Sequence, residues 1–119
     1  MKIATQVVDT TYGQSAAGVR VRLECVGETG WTTLADAETN SNGCINDWDS
    51  CPLQRGLYRI VLDSDRYFAG LGAGTAYPEV MVIFRMRNES DGCQVQVALS
   101  PYSYSAYFGS FTASTELQI

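Results

Sequence analysis

The sequence predicts an all-β protein, an antiparallel sandwich of about eight strands in two sheets with one short helix. Stretches of alternating apolar and polar residues recur along the chain, and clusters of glycine, proline, asparagine and serine separate them. The length of 119 residues fits one domain over residues 1–119. Hydrophobic residues make up 45% of the chain and charged residues 18%, which supports one packed core and excludes intrinsic disorder.

The first half of the chain predicts four strands. The clearest is the second, in which Val19, Val21, Leu23 and Cys25 alternate with charged residues, as in a half-buried strand. Turn-forming residues follow the first strand at 10–14 and the third at 40–43. The four predicted strands cover residues 5–9, 19–25, 31–37 and 57–62.

The second half predicts a helix and three further strands. The helix covers 65–71, and Gly70, Gly72 and Gly74 limit it to about two turns. The residues 88–92 read as a hairpin turn, and Ser100-Pro101 interrupts the last alternating stretch. The extension 111–119 also alternates, as an extra edge segment or a frayed end. The predicted strands cover residues 80–86, 94–99 and 102–105.

The chain contains no histidine, which excludes Ser-His-Asp and Cys-His mechanisms, histidine general bases and histidine metal sites. Four cysteines at 25, 44, 51 and 93 form no CxxC pair, so zinc ribbons and thioredoxin-type redox motifs are unsupported. We therefore expect neither a metal nor a cofactor.

The charge distribution also limits the partners. The net charge is −5 and the eight basic residues are scattered, whereas a nucleic-acid surface needs a basic footprint. No apolar run approaches the roughly 20 residues of a membrane span, and no leader-like segment opens the sequence. We expect a cytoplasmic protein with reduced thiols that binds neither nucleic acid nor membrane.

An ordered series of short segments resembles one known family over residues 4–110. The closing block Leu99-Ser100-Pro101-Tyr102-Ser103-Tyr104-Ser105, followed by Tyr107-Phe108-Gly109-Ser110, is the most specific. Together the segments resemble the transthyretin and 5-hydroxyisourate hydrolase family. The earlier segments are Val7-Val8-Asp9-Thr10, residues 16–23, residues 39–43, Gly56-Leu57-Tyr58-Arg59, Tyr67-Phe68 and Tyr77-Pro78-Glu79-Val80.

The resemblance implies an eight-stranded sandwich that assembles as a homotetramer, a dimer of dimers. In the family, a channel between the dimers holds two sites, which hydrolyse a ureide in the hydrolases and bind thyroid hormone in transthyretin. Tyr102 and Tyr104 would then pack in an interface. The terminal Tyr-Arg-Gly-Ser block marks the hydrolases, and three of its four positions are kept here.

Four positions depart from the hydrolases that the chain resembles. The two family histidines correspond to Gln6 and Gln94, and the two family arginines correspond to Cys44 and Phe108. Glutamine does not titrate near neutral pH, so Gln6 and Gln94 can orient a substrate but cannot act as bases. Loss of a general base typically costs about two to four powers of ten in rate.

Strand alternation and the resemblance together predict a neutral pocket. Gln94, Gln96 and Ala98 share one face of a strand, and Gln6 and Val8 share a face of the first strand. Glutamines on a strand face are otherwise ordinary solvated surface. The predicted catalytic residues are Gln6, Cys44, Gln94 and Tyr107, and the predicted substrate-binding residues are Val8, Trp48, Gln96, Ala98, Phe108 and Ser110.

The loop after Cys44 leaves alternatives open. Cys44 is a small polar wall residue or a nucleophile, and a Cys44–Cys51 disulfide is feasible across the loop. Asp47 and Asp49 either supply an acid or base to the site or are exposed loop carboxylates. Trp48 either covers the channel mouth or is buried against the sheet.

These observations lead to an expected function. The sequence favours a repurposed, cofactor-free family enzyme that binds a largely apolar small molecule in the tetramer channel. It would direct cyclisation or isomerisation of a natural-product intermediate by holding it in one geometry. The alternatives are a small-molecule binding protein of the transthyretin type and a true 5-hydroxyisourate hydrolase of purine catabolism.

Overall fold

The computed structural model describes residues 3–46, 48, 54–87 and 92–110. Within them the chain forms nine strands, two of which are only two residues long, and one short helix. The strands and the helix are, in order, β1 (Ile3–Asp9), β2 (Gln14–Ser15), β3 (Arg20–Gly27), β4 (Gly30–Glu38), β5 (Cys44–Ile45), β6 (Gly56–Leu62), α1 (Ser64–Ala69), β7 (Val80–Met86), β8 (Cys93–Ser100) and β9 (Ser103–Ser110).

The strands form two sheets, which confirms the predicted transthyretin-like sandwich. The first sheet has the order β2-β1-β8-β9, with β5 also paired to β1, and the second has the order β4-β3-β6-β7. The pairing is antiparallel except between β1 and β8, which run parallel. That parallel pair places residues 3–9 and 93–99 side by side at the centre of the first sheet.

Most predicted strands match the observed ones, and β7 matches at both ends. The helix begins one residue earlier than predicted and ends two residues earlier, and β9 is longer than the stretch 102–105. The two-residue strands β2 and β5 were not predicted, since two residues carry no periodicity, and Gln14 of β2 falls in the predicted turn at 10–14. The predicted turn over 88–92 and the extension 111–119 lie largely or wholly outside the described residues.

The core lies between the sheets and follows the alternation of each strand. Val7, Val97 and Leu99 of the first sheet and Ile60 and Leu62 of the second are fully buried. In β3 the register with β4 shifts between Leu23 and Glu24. The rest of the buried core includes Ile3, Val19, Val21, Leu23, Phe68, Val80, Phe84, Met86 and Val95.

Helix α1 is stabilised by an N-terminal cap, by burial of Phe68 and by a hydrogen bond to the first sheet. The Asp63 carboxylate accepts a hydrogen bond from the backbone N–H of Arg66 at 3.1 Å and caps the helix. Phe68 is fully buried, and the Tyr67 hydroxyl donates a 2.8 Å hydrogen bond to the Asp9 carboxylate. Burial, together with this bond to Asp9, raises the pKa of Tyr67 to about 12. A helix of six residues would not be stable without such packing.

A buried carboxylate on β3 joins three strands of the second sheet. Glu24 is 5% exposed and pairs with Arg59 of β6 at 2.6 Å and with Arg22 at 3.1 Å. The Thr33 hydroxyl of β4 donates to the same carboxylate at 3.1 Å, and the Arg59 guanidinium lies 4.3 Å from the ring centroid of Trp31. Burial acts to raise the pKa of Glu24, but the hydrogen bonds from Arg59, Arg22 and Thr33 outweigh it and lower the pKa.

Candidate functional site

The candidate site lies on the outer face of the first sheet. Alternation turns Gln6 and Gln96 away from the core, while their neighbours Val7 and Val97 are fully buried. The same alternation places Val8 and Ala98 on this outer face. The structure therefore brings these predicted residues together on one surface.

The strand register arranges the central residues in a row across four strands. Gln6 of β1 is opposite both Cys44 of β5 and Gln96 of β8, and Gln96 is in turn opposite Tyr107 of β9. The side-chain amide of Gln96 donates a 3.1 Å hydrogen bond from Nε2 to Oε1 of Gln6. This amide pair, Gln6–Gln96, forms the polar centre of the row.

A shallow cavity of about 290 Å³ opens beside the amide pair. Its size is at the lower end of the range for small-molecule sites. Sequence reasoning identified four of the lining residues but missed Ser105 and Ala106. The period-two stretch that ends at Ser105 could have indicated that Ser105 shares a face with Tyr107. The lining residues are Val8, Gln96, Ala98, Ser105, Ala106 and Tyr107.

Gln94 lies on the same face of β8, two residues before Gln96, and it is opposite Gly109 of β9. A Cβ atom on residue 109 would lie 3.0 Å from Cε2 of Tyr107 and 3.2 Å from its hydroxyl oxygen. The Tyr107 ring therefore lies over Gly109, and its hydroxyl reaches the row that contains Gln94. Gly109 provides the space that this ring position needs.

A tight turn positions Cys44 beside Gln6. The Asn40 side-chain oxygen accepts hydrogen bonds from the backbone N–H groups of Asn42 at 2.9 Å and Cys44 at 3.0 Å. Gly43 has φ +75°, and its carbonyl oxygen accepts a 2.7 Å hydrogen bond from the N–H of Val7. The Cys44 thiol is free and half-buried, and it contacts the carbonyl oxygen of Asn42 at 3.5 Å.

The structure corrects the predicted position of Phe108. Its side chain projects from the opposite face of β9 to Tyr107, since the two residues are adjacent in a strand. The Phe108 ring packs against Phe84 of the second sheet, with 5.8 Å between the ring centroids. Phe108 therefore closes the side of the sandwich and does not line the cavity.

Trp48 is also placed differently from its predicted binding role. The indole is only 3% exposed, and its Nε1–H donates a 3.1 Å hydrogen bond to the hydroxyl of Thr5. Because Thr5 points into the core, Trp48 is buried under the sheet and does not cover the outer face. Of the two alternatives for this residue, burial is the one observed.

Several predicted positions lie outside the described residues. These include Asp47, Asp49 and Cys51, so the proposed loop acids stay predictions. The Cys44 thiol is free, so the predicted Cys44–Cys51 disulfide is not formed in this structure. Ser110 ends β9 and its backbone pairs with Cys93, but its side chain is not described. Within the described part of the chain, no group of three or more histidine, cysteine or acidic residues lies together as a metal site would require.

No helix among the described residues is long and apolar enough to cross a membrane. The cytoplasmic location expected from the sequence stays a prediction.

Known proteins resemble this chain over most of its length. The profile of the HIUase/transthyretin family matches residues 3–109. A probable 5-hydroxyisourate hydrolase of Caenorhabditis elegans is 34% identical over 110 residues, which cover 91% of this chain and 80% of that protein. The 5-hydroxyisourate hydrolase of Mus musculus is 32% identical over 111 residues, which cover 91% and 94% of the two chains.

Solved structures show the same fold. The 5-hydroxyisourate hydrolase of Klebsiella pneumoniae superposes with a TM-score of 0.80 at 28% identity, over 92% of this chain and all of that one. Transthyretin from Sparus aurata superposes with a TM-score of 0.86 over 92% and 97% of the two chains. At 22% identity, the transthyretin match indicates the fold alone.

These relatives overturn the functional expectation drawn from the sequence. A repurposed cyclase or isomerase of natural-product biosynthesis is wrong, because relatives at 31–34% identity over 91% of the chain are named 5-hydroxyisourate hydrolases. The match of the family profile to residues 3–109 and these full-length relatives show that the chain belongs to the HIUase/transthyretin family.

Proposed function

We propose that this chain hydrolyses 5-hydroxyisourate and thereby opens the ring of a cyclic ureide. The observation that carries the proposal is the identity of 31–34%, over 91% of the chain, to proteins named for that reaction. The cavity beside Gln6, Gln96 and Tyr107 supports it, since it offers hydrogen-bonding groups on a rigid sheet face. A rigid sheet holds these groups more accurately than a loop would.

Hydrolysis of a ring amide adds the oxygen of water to a carbonyl carbon and then breaks the carbon–nitrogen bond. Negative charge develops on the carbonyl oxygen, and the departing nitrogen takes up a proton. In this proposal the amide N–H groups of Gln6, Gln94 and Gln96 stabilise the developing charge. One oriented donor of this kind is typically worth about two to three powers of ten in kcat.

Proton transfer is the difficult part of the reaction at this site, because the chain has no histidine. We assign the transfer to the attacking water and the Tyr107 hydroxyl, which Gly109 allows to lie over the Gln94 row. A reaction without a strong general base is expected to be about 10² to 10⁴ slower than one with such a base. In this proposal Cys44 forms the wall of the site beside Gln6.

The direct test is to follow the ultraviolet absorbance of freshly generated 5-hydroxyisourate with and without the protein. We expect decay faster than in buffer, and a decrease of about tenfold or more in kcat/KM for Gln96→Leu. Gln54→Leu is the matched control, because the Gln54 side chain is exposed at the entry to β6 and the residue bonds the Tyr58 hydroxyl through its backbone. Decay no faster than in buffer would contradict the proposal.

We also propose that the chain assembles as a homotetramer. Among the described residues, β7 and β9 each form one edge of their sheets, and Phe84 of β7 packs on Phe108 of β9. The two edges therefore lie on the same side of the sandwich and together offer a surface for pairing with a second copy. Tyr104, Tyr107 and Phe108 of β9, with 42%, 63% and 38% of their surfaces exposed, are large side chains available for packing.

A further inference from the structure

We propose that the amide pair Gln6–Gln96 selects cyclic ureides in their uncharged form and rejects the same ring when it carries a carboxylate. The inference rests on the proposed function, because it concerns the substrate class of the same site. It identifies Gln96 and Gln6 as the residues that determine specificity.

The first argument is the hydrogen-bonding capacity that the pair leaves unused. A glutamine amide has two N–H donors and one carbonyl acceptor. Among the residues that the structure describes, the pair uses one donor of Gln96 and the acceptor of Gln6, in the 3.1 Å hydrogen bond between them. The remaining groups are N–H donors on both residues and the carbonyl oxygen of Gln96.

These remaining groups match the edge of an uncharged cyclic ureide. Such a ring alternates C=O and N–H groups, so its edge needs both donors and an acceptor from the protein. A deprotonated ring loses the N–H from which the Gln96 oxygen would accept a hydrogen bond, so that oxygen would face a negatively charged ring nitrogen. A site built to bond an N–H discriminates strongly against an analogue that lacks it, because its own polar group is left unpaired.

The second argument is the charge of the sheet that carries the site. The strands β1, β2, β5, β8 and β9 contain one charged residue, Asp9, and its side chain is fully buried on the core side. The described arginines lie on the second sheet, in its loops or on α1, and four of them are paired with carboxylates. A ligand carboxylate would lose water on entering the cavity and find no countercharge among the lining residues.

The test uses two stable rings that differ by a single carboxylate, 5,6-dihydrouracil and dihydroorotate. Binding of each to the wild-type protein is measured by isothermal titration calorimetry near neutral pH. We expect dihydrouracil to bind at least about tenfold more tightly than dihydroorotate. Equal binding, tighter binding of dihydroorotate, or no binding of either ring would overturn the inference.

Variants then show whether the amide pair is responsible. Gln96→Leu is expected to weaken dihydrouracil binding about tenfold, and Gln96→Arg to reverse the preference in favour of dihydroorotate. Gln6→Lys provides a second reversal, should circular dichroism show that Gln96→Arg does not fold. The control Gln54→Leu should bind both rings as the wild type does. An unchanged preference in Gln96→Arg and Gln6→Lys would overturn the inference.

Failure of this inference is distinguishable from failure of the proposed function. The titrations require no turnover, so a protein that prefers dihydrouracil but does not accelerate the decay of 5-hydroxyisourate would contradict the proposed function alone. A protein that hydrolyses 5-hydroxyisourate but binds dihydroorotate as tightly as dihydrouracil would contradict this inference alone.

Discussion

At the scale of single residues, Gly109 shapes the candidate site through the side chain it lacks. The Tyr107 ring occupies the space that a Cβ at position 109 would approach to 3.0 Å. The atoms that an added Cβ would crowd are at the end of the flexible Tyr107 side chain, so the Tyr107 ring can move away at a small cost in free energy. The hydroxyl would then leave the Gln94 row, where we propose that it acts.

We expect Gly109→Ala to lower kcat/KM for 5-hydroxyisourate about tenfold, as loss of an oriented proton donor does, with little change in melting temperature. Steady-state kinetics and differential scanning calorimetry measure the two effects. Gly74→Ala is the control, since nothing lies within 4 Å of a Cβ there. A Gly109→Ala enzyme with wild-type kinetics, alongside an impaired Tyr107→Phe, would contradict the predicted link between the two residues.

Gln6 permits a gain-of-function prediction. The family resemblance places a histidine at this position in the hydrolases, and residue 6 lies beside Gln96 in the row. We expect Gln6→His to raise kcat by about tenfold or more, because imidazole supplies the base that glutamine cannot.

The pH dependence of kcat/KM provides the second readout for Gln6→His. The variant should gain an inflection near pH 6.5, the ordinary pKa of histidine, which the wild type lacks. Gln54→His controls for adding a histidine elsewhere on the surface. An unchanged rate and a flat profile would mean that position 6 does not face the reacting atoms.

At the scale of elements, the turn before β5 packs closely against the backbone of β1. Gly43 is buried at φ +75°, and a Cβ there would collide with the backbone carbonyl oxygen of Val7 and lie 3.1 Å from the N–H nitrogen of Ala16. The Val7 oxygen belongs to the backbone of β1, and the Ala16 nitrogen belongs to the backbone just after β2. Neither atom can move without disturbing the first sheet.

We expect Gly43→Ala to lower the free energy of unfolding by about 2 kcal/mol or more, as measured by urea denaturation. Gly13→Ala is the matched control: Gly13 has a similar φ of +65° but open space around its Cβ position, so only the conformational cost remains. Equal losses in the two variants would show that the collision with β1 carries no cost.

The buried carboxylate of Glu24, with its partners Arg59 and Arg22, leads to a prediction about how stability depends on pH. The pKa of Glu24 is lower in the folded than in the unfolded chain, so its contribution to stability is complete above its ordinary pKa of 4.5. That contribution is lost as the pH falls through the folded-state pKa, because protonation removes the charge that Arg59 and Arg22 bind.

Urea denaturation from neutral pH down to about pH 3 measures this loss. Glu24→Gln should show a smaller decrease over the same range and should be less stable near pH 7 by about 3 kcal/mol, because two guanidinium groups lose a buried partner. Glu38→Gln is the control, since Glu38 is exposed and its ion pair with Arg66 is a surface contact. Parallel pH curves for wild type and Glu24→Gln would contradict the assignment.

At the scale of the whole molecule, the edge strands β7 and β9 lie on one side of the sandwich, and the candidate site lies on the broad outer face of the first sheet. The proposed homotetramer would cover both surfaces. Analytical ultracentrifugation should give about four times the chain mass of 13.0 kDa, with dimers on dilution. A stable monomer at all concentrations would contradict the proposed assembly.

The sequence by itself determined the class of fold and most of the strands. An apolar run after Pro78-Glu79 was sufficient for β7. Alternation was nearly sufficient for β8, because a strand with one buried face requires a period of two. The same period placed Gln6, Gln96 and Val8 on one outer face, and the family resemblance added Cys44 and Tyr107. These predictions depend on local pattern, which a sequence displays directly.

Only the tertiary structure determined the positions of Phe108 and Trp48 and the bond between Gln6 and Gln96. Phe108 was assigned to the site from its place in the terminal block, yet its face of β9 is fixed by pairing with β8 and by contact with Phe84. Trp48 lies in a loop without periodicity, and a hydrogen bond to Thr5, 43 residues earlier, determines its burial. The Gln6–Gln96 bond joins residues 90 positions apart through a parallel pair of strands. Contacts between distant segments depend on how the sheets assemble, and no local pattern in the sequence records them.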